Sequence, residues 1–161
     1  MSIELLQLLL LIIIANGSPI IMRALLKTRF NTAIDFNHKL PDGQPVFGES
    51  KTWRGLIAAC FFTTIAAVLL GYNAETGLWV AIYAILGDLI SSFIKRRLHR
   101  PVSSMAMLLD QVPESLFPAL MLAETFMLDL SAVMELVLIF IITELMLSHV
   151  LYKWGIRKQP Y

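Results

Sequence analysis

A chain of 161 residues that is 57% hydrophobic, with a mean hydropathy of +0.71, is too apolar for an ordinary water-soluble domain. No core of that size hides so much apolar surface, so a bilayer must supply part of the solvent, and the length serves one compact bundle rather than two domains. The net charge of +1 points to no nucleic-acid partner, and the single Cys60, set in an apolar run, permits no internal disulfide.

Five spans are predicted, at about 3–26, 53–70, 78–94, 113–130 and 132–152, forming an all-α polytopic membrane protein that is a single unit over 1–161. The start, Met1-Ser2-Ile3-Glu4, has no basic leader and no clean small-residue cleavage site, so no cleavable signal peptide is expected. The first apolar run, Ile3 to Ile14, is 12 residues long. A crossing takes roughly 20, so this run must continue through Asn16-Gly17-Ser18-Pro19 to about Leu26. That tetrapeptide is expected to break or kink the helix, with Asn16 either a site residue or the stabiliser of a plain kink.

A polar loop, 27–52, follows, with Asp35, Pro41-Asp42-Gly43 and Pro45 as turn chemistry. The second span opens at Lys51-Thr52-Trp53-Arg54-Gly55, with Ser50 or Thr52 as its N-cap. Free N–H groups at a helix start beside Lys51 and Arg54 form a ready anion site, or else a capped helix with interfacial cations and a Trp53 anchor. A Walker motif is absent, since glycine is missing immediately before Lys51 and five residues further upstream.

The third span carries Gly87-Asp88 at membrane depth and ends in Lys95-Arg96-Arg97. At about 100° per residue, Asp88, Ser92, Lys95 and His99 share one stripe, with Arg97 pointing off it toward lipid head groups. A basic loop, 95–112, ends at Asp110-Gln111, and the fourth span bears Pro118 in its first turns. The fifth holds Glu135, Glu144 and His149, with Glu144 and Ser148 on one face. All 13 Lys and Arg residues lie around Arg23–Arg54, in Lys95–Arg100 and after Tyr152, which five crossings place on one side. The positive-inside tendency makes that side cytoplasmic, giving N-out and C-in in the cell membrane.

Two acids and several cations on one membrane face describe a phosphate-handling site without fixing its reaction. No nucleophile–base pair is evident, which suits transfer to an acceptor that is already an anion.

At this point the residues resemble a family. Asn16-Gly17-Ser18-Pro19, Ile34-Asp35-Phe36, Asp42-Gly43, Phe47 through Gly55, Gly87-Asp88, Ser92 through Arg97 and Leu109-Asp110-Gln111 are similar, in order over roughly 13–118, to the motif series of CDP-archaeol synthases. That family is distantly related to phosphatidate cytidylyltransferases. The resemblance implies five membrane helices, a cytoplasmic polar cavity for CTP and Mg²⁺, and transfer of CMP from CTP to a lipid phosphate, releasing pyrophosphate. It implies Asp88, Lys95 and Asp110 as catalytic residues, Asp88 and Asp110 also carrying the metal. Lys51, Thr52, Arg54, Ser92, Arg96, Arg97 and Gln111 would then meet CTP or lipid phosphate, with Asn16 and Asp35 shaping the pocket.

Two departures stand out. The family continues Asp-Gln with an apolar residue and a second acid, where this chain has Val112-Pro113 and Glu114 one place late. A Gly-Lys pair after the basic block is replaced by Arg100-Pro101-Val102-Ser103. The second ligand is therefore displaced, taken over by Glu114, or absent, and the acceptor is either archaeol-phosphate-like or phosphatidate-like. Two other classes stay open: a small transporter, if Glu135, Glu144 and Asp88 line one polar path, and a non-catalytic membrane scaffold. An oligomer is possible. The CDP-alcohol phosphotransferase signature is not found.

Overall fold

The structure, a computed structural model, describes residues 2–102, 106 and 108–155. Among these residues there are five helices: α1 Ile3–Leu26, α2 Trp53–Leu69, α3 Ala74–Arg97, α4 Gln111–Met121 and α5 Leu130–Lys153. Among the described residues the only β features are isolated bridges, Ala33 with Thr52 and Lys39 with Pro45, both in the long polar loop. Side chains start three of the helices. Ser2 accepts from the Leu5 N–H at 3.2 Å, Thr52 from Gly55 at 3.3 Å and Asp129 from Ala132 at 2.7 Å.

By length and composition α1, α3 and α5 are each able to cross a bilayer, while α2 is apolar but only 17 residues long. Exposed faces carry Ile57, Phe61, Leu69, Leu86, Leu138 and Ile142, side chains suited to hydrocarbon rather than water. This is an integral membrane protein.

The bundle is apolar at one end and polar at the other. α1 packs against all four other helices, and its first half (Leu5, Leu8, Leu11 and Ile12) fills the core with Phe126, Leu136 and Phe140. The buried polar groups Ser92, Lys95, Arg96, Gln111, Glu114 and Ser115 gather at the opposite end, where the basic loops leave. Lipid offers no hydrophobic drive between helices, so association depends on close approach through small residues. A Cβ on Gly77 would lie 2.6 Å from Ala67 Cβ, and one on Gly87 would lie 2.2 Å from the Pro113 carbonyl oxygen. Those two glycines set the α2–α3 and α3–α4 spacings.

Three expectations are corrected. α1 runs unbroken through Asn16–Pro19, because Pro19 removes only its own N–H, while the Ser18 hydroxyl adds a bond to the Ile14 carbonyl. α4 does not extend over 113–130: it is 11 residues long, about 16 Å, and an irregular turn with Met127 at φ +49° leads to α5. α3 starts at Ala74 rather than 78, Glu75 in its first turn suiting the helix dipole.

Candidate active site

Asp88 sits nine residues before the end of α3, and Lys51 reaches it from the loop with its ammonium 2.6 and 2.5 Å from the two carboxylate oxygens. A tight turn aims that lysine, the Lys51 N–H bonding the Gly48 carbonyl at 3.1 Å. Burial works against the Lys51 charge. The Asp88 carboxylate, backed by Glu114 and Asp110, outweighs it and holds the ammonium above the ordinary lysine range.

Gly87 lets α4 approach α3 backbone to backbone, which seats the buried Glu114 with its carboxyl group within hydrogen-bonding reach of Asp88. Glu144 of α5 is close enough to bear on Glu114. Two turns along α3, Lys95 pairs with Asp110 at 2.6 Å. The other Asp110 oxygen accepts the Ala106 N–H at 3.0 Å, and Gln111 Oε1 accepts from Leu108 at 2.9 Å, so both residues also shape the approach to α4. Arg96 is 2% exposed; it donates to the Pro101 carbonyl at 2.9 Å, and its Nε has no hydrogen-bond partner among the described residues. Ser92 is buried on the Asp88 face.

Other predicted residues do different work. Arg54, expected on triphosphate, donates to the carbonyls of Lys27 and Arg29 and, at 2.8 Å, to Asn31 Oδ1, tying the loop's start to α2. Thr52 caps α2. Asp35 accepts the N–H groups of Phe47 at 2.8 Å, Gly48 at 2.9 Å and Asn37 at 3.0 Å. Burial raises its pKa, but those donors, Gly48 first, outweigh that and hold it below the usual carboxylate range. Arg97 does not snorkel; it pairs with Asp42 at 3.0 Å. Asn16 is half-buried, its Nδ2 without a partner among the described residues. His99 leaves the stripe, exposed at φ +54° just beyond α3. Glu135 is exposed and so does not join Glu144 and Asp88 in one buried path.

The pairing of Glu114 with Asp88 was not foreseen. Its signal was the acid standing one place late after Asp110-Gln111, and Gly87 is what gives it meaning. A groove of about 500 Å³ lies along α2, lined by Met22, Phe30, Trp53, Arg54, Ile57 and Phe61 and by none of the cluster residues.

The description of CarS-like CDP-archaeol synthases matches residues 2–161. The chain belongs to that family. A CDP-archaeol synthase of Staphylothermus marinus is 34% identical over 113 residues, 66% of this chain and 61% of the relative. One from Pyrococcus furiosus is 37% identical over 107 residues, 60% of each, and one from Saccharolobus islandicus is 40% identical over 105 residues, 62% of this chain and 59% of the relative. The chain thus spans about three fifths of the length of these curated relatives. A solved structure described as an intramembrane enzyme for archaeal membrane lipids biosynthesis superposes with a TM-score of 0.70 at 27% identity, covering 86% of this chain and 89% of that one. The CarS-like assignment confirms the resemblance carried by the motif blocks.

Proposed function

We propose that this CarS-like chain is a CTP-dependent cytidylyltransferase that forms a CDP-lipid from an isoprenoid glycerol-ether phosphate, releasing pyrophosphate. The observation that carries the reading is the meeting of Lys51, Asp88, Lys95, Asp110 and Glu114, from a loop and two helices, at the basic end of an apolar bundle. Buried charges at membrane depth are costly and mark function by default. Family membership and the relatives' names supply the substrate class.

In the reaction, an oxygen of the lipid phosphate attacks the α-phosphorus of CTP, the bond to the β,γ-pyrophosphate breaks, and its electron pair leaves with pyrophosphate. The nucleophile is already an anion, so the protein's task is to neutralise charge and align the two reactants. Lys51, Lys95 and Arg96 provide that charge, the two lysines exchanging carboxylate partners for phosphate oxygens as CTP enters.

The donor set fits a hard divalent ion. Among the described residues no group of three or more His, Cys, Asp or Glu encloses a metal, and Mg²⁺ characteristically takes one or two carboxylates plus phosphate oxygens and water. Asp88, with Asp110 or Glu114, would hold it, and it would offset the charge of the departing pyrophosphate. On this reading α4 with the 122–129 turn supplies the fourth of five crossings, the basic loops and the site face the cytoplasm by the positive-inside tendency, and the apolar groove along α2 offers the lipid chains a berth.

The test is incubation of the purified full chain with labelled CTP, Mg²⁺ and a panel of ether- and ester-linked lipid phosphates, scoring lipid-soluble label. Label on the isoprenoid ether phosphate is expected. No label on any acceptor overturns the reading, and preference for phosphatidate overturns the acceptor assignment.

A further inference from the structure

Arg97 closes the basic block of α3, yet its guanidinium is turned away from the Asp88 cluster. Nη1 donates to Asp42 at 3.1 Å, Nη2 donates to the Pro45 carbonyl at 2.7 Å and the Gln44 carbonyl at 3.4 Å, and the group rests 5.1 Å from the Phe93 ring centroid. Both Nη groups are spent on one turn of the long loop, while Nε has no hydrogen-bond partner among the described residues. That turn has its own frame: the Leu40 N–H bonds Gln44 at 2.9 Å, the Gly43 N–H bonds Leu40 at 2.8 Å, and Asp42 Oδ1 accepts from Gln44 at 3.0 Å. A few residues on, the chain passes through Gly48, where a Cβ would sit 3.9 Å from Arg96 Cδ and 3.2 Å from Val102. It then turns to deliver Lys51 to Asp88.

We propose that Arg97 is a positioning residue: by clasping the 42–45 turn to the end of α3 it holds the loop that presents Lys51 to Asp88 and covers Arg96, and it does not contact the nucleotide. This rests on the reading of the Lys51–Asp88 cluster as the nucleotide site. Lysine is a poor replacement, because a point charge satisfies Asp42 but not two backbone carbonyls at once. The pair is partly exposed, the side chains retaining 25% and 33% of their accessible surface, so added salt weakens the clasp.

The experiment compares the full chain with Arg97→Gln, Asp42→Asn, Arg97→Lys and the swap Arg97→Asp with Asp42→Arg, measuring KM for CTP, kcat, and hydrogen exchange of the 43–48 amides. Both single losses are expected to raise KM about five- to tenfold with kcat within about twofold, and to speed exchange over 43–48. Arg97→Lys falls between, and the swap, which restores the ion pair but leaves the Pro45 and Gln44 carbonyls without a donor, recovers only part of the Arg97→Gln loss. A wild-type KM in Asp42→Asn, with Arg97→Gln impaired and the swap no better, overturns the clasp and makes Arg97 a phosphate ligand. If the unaltered chain transfers no CMP, the functional reading fails by itself. Exchange then still judges the clasp, and unchanged protection in Arg97→Gln rejects it.

Discussion

Charged residues in this chain divide by whether they face the cluster or the loop that serves it. Lys51, Asp88, Lys95, Asp110 and Glu114 face one another, whereas Arg54 and Asp35 are consumed by backbone groups of the long loop. Replacing Asp88 by Asn keeps the volume but removes the charge that holds Lys51 and, on the proposed reading, the metal. A fall of about 10²–10³-fold in kcat/KM is expected, and full turnover in a steady-state assay sinks the metal assignment. Asp35 makes a separate pH prediction. Its pKa is lowered on folding, so its contribution is complete above the ordinary value of 3.8 and is lost only as pH falls through the lower folded value. The Gly48 amide should therefore stay protected from hydrogen exchange at pH 5 and lose protection under strong acid, while Asp35→Asn loses it already at neutral pH. Neither role could be separated from the other by residue type, because a carboxylate in a motif looks the same whether it meets a lysine or a backbone N–H.

At the scale of elements, the two close helix contacts do different jobs. Gly77 brings α2 to α3 near the apolar end, and Gly87 brings α4 to α3 beside Asp88. Alanine at either position forces packed backbones apart, at about 1–3 kcal/mol by comparison with other overpacked sites. Both variants should lose thermal stability by similar amounts in detergent. Gly87→Ala alone should also lose catalysis, because the helices part at Glu114. Equal kinetics in the two variants would show that the α3–α4 spacing does not matter to the site. The hydropathy pattern marked α1, α2, α3 and α5 within a few residues, since each is a long apolar run with turn residues at its ends. It misjudged α4, whose 11 residues continue into an apolar but irregular turn, because hydropathy reports what tolerates lipid rather than what hydrogen-bonds as a helix. It also read Asn16–Pro19 as a break or kink, and the break does not occur, because a helix loses only one backbone bond at a proline.

For the whole molecule, topology is the property most open to direct measurement. With Cys60 as the only cysteine, a Cys60→Ser background allows single cysteines to be placed at His99 and Glu124, both exposed and at opposite ends of the bundle. In sealed cells a membrane-impermeant thiol reagent should label Glu124→Cys and leave His99→Cys unlabelled until the membrane is opened. The reverse pattern would invert the proposed orientation. Composition alone determined that a bilayer is the solvent, and the confinement of all 13 Lys and Arg residues to three segments motivates the proposed topology, because lipid excludes charge whatever the packing. The motif blocks determined the family. Only the tertiary structure decided which charges are neighbours. Lys51 and Asp88 lie 37 residues apart in the chain, and their pairing follows from a loop stapled by Arg54, Asp35 and Arg97. Likewise Glu114 reaches Asp88 only because Gly87 carries no side chain. Contacts of that kind depend on distances between whole elements, which no local pattern of residues encodes.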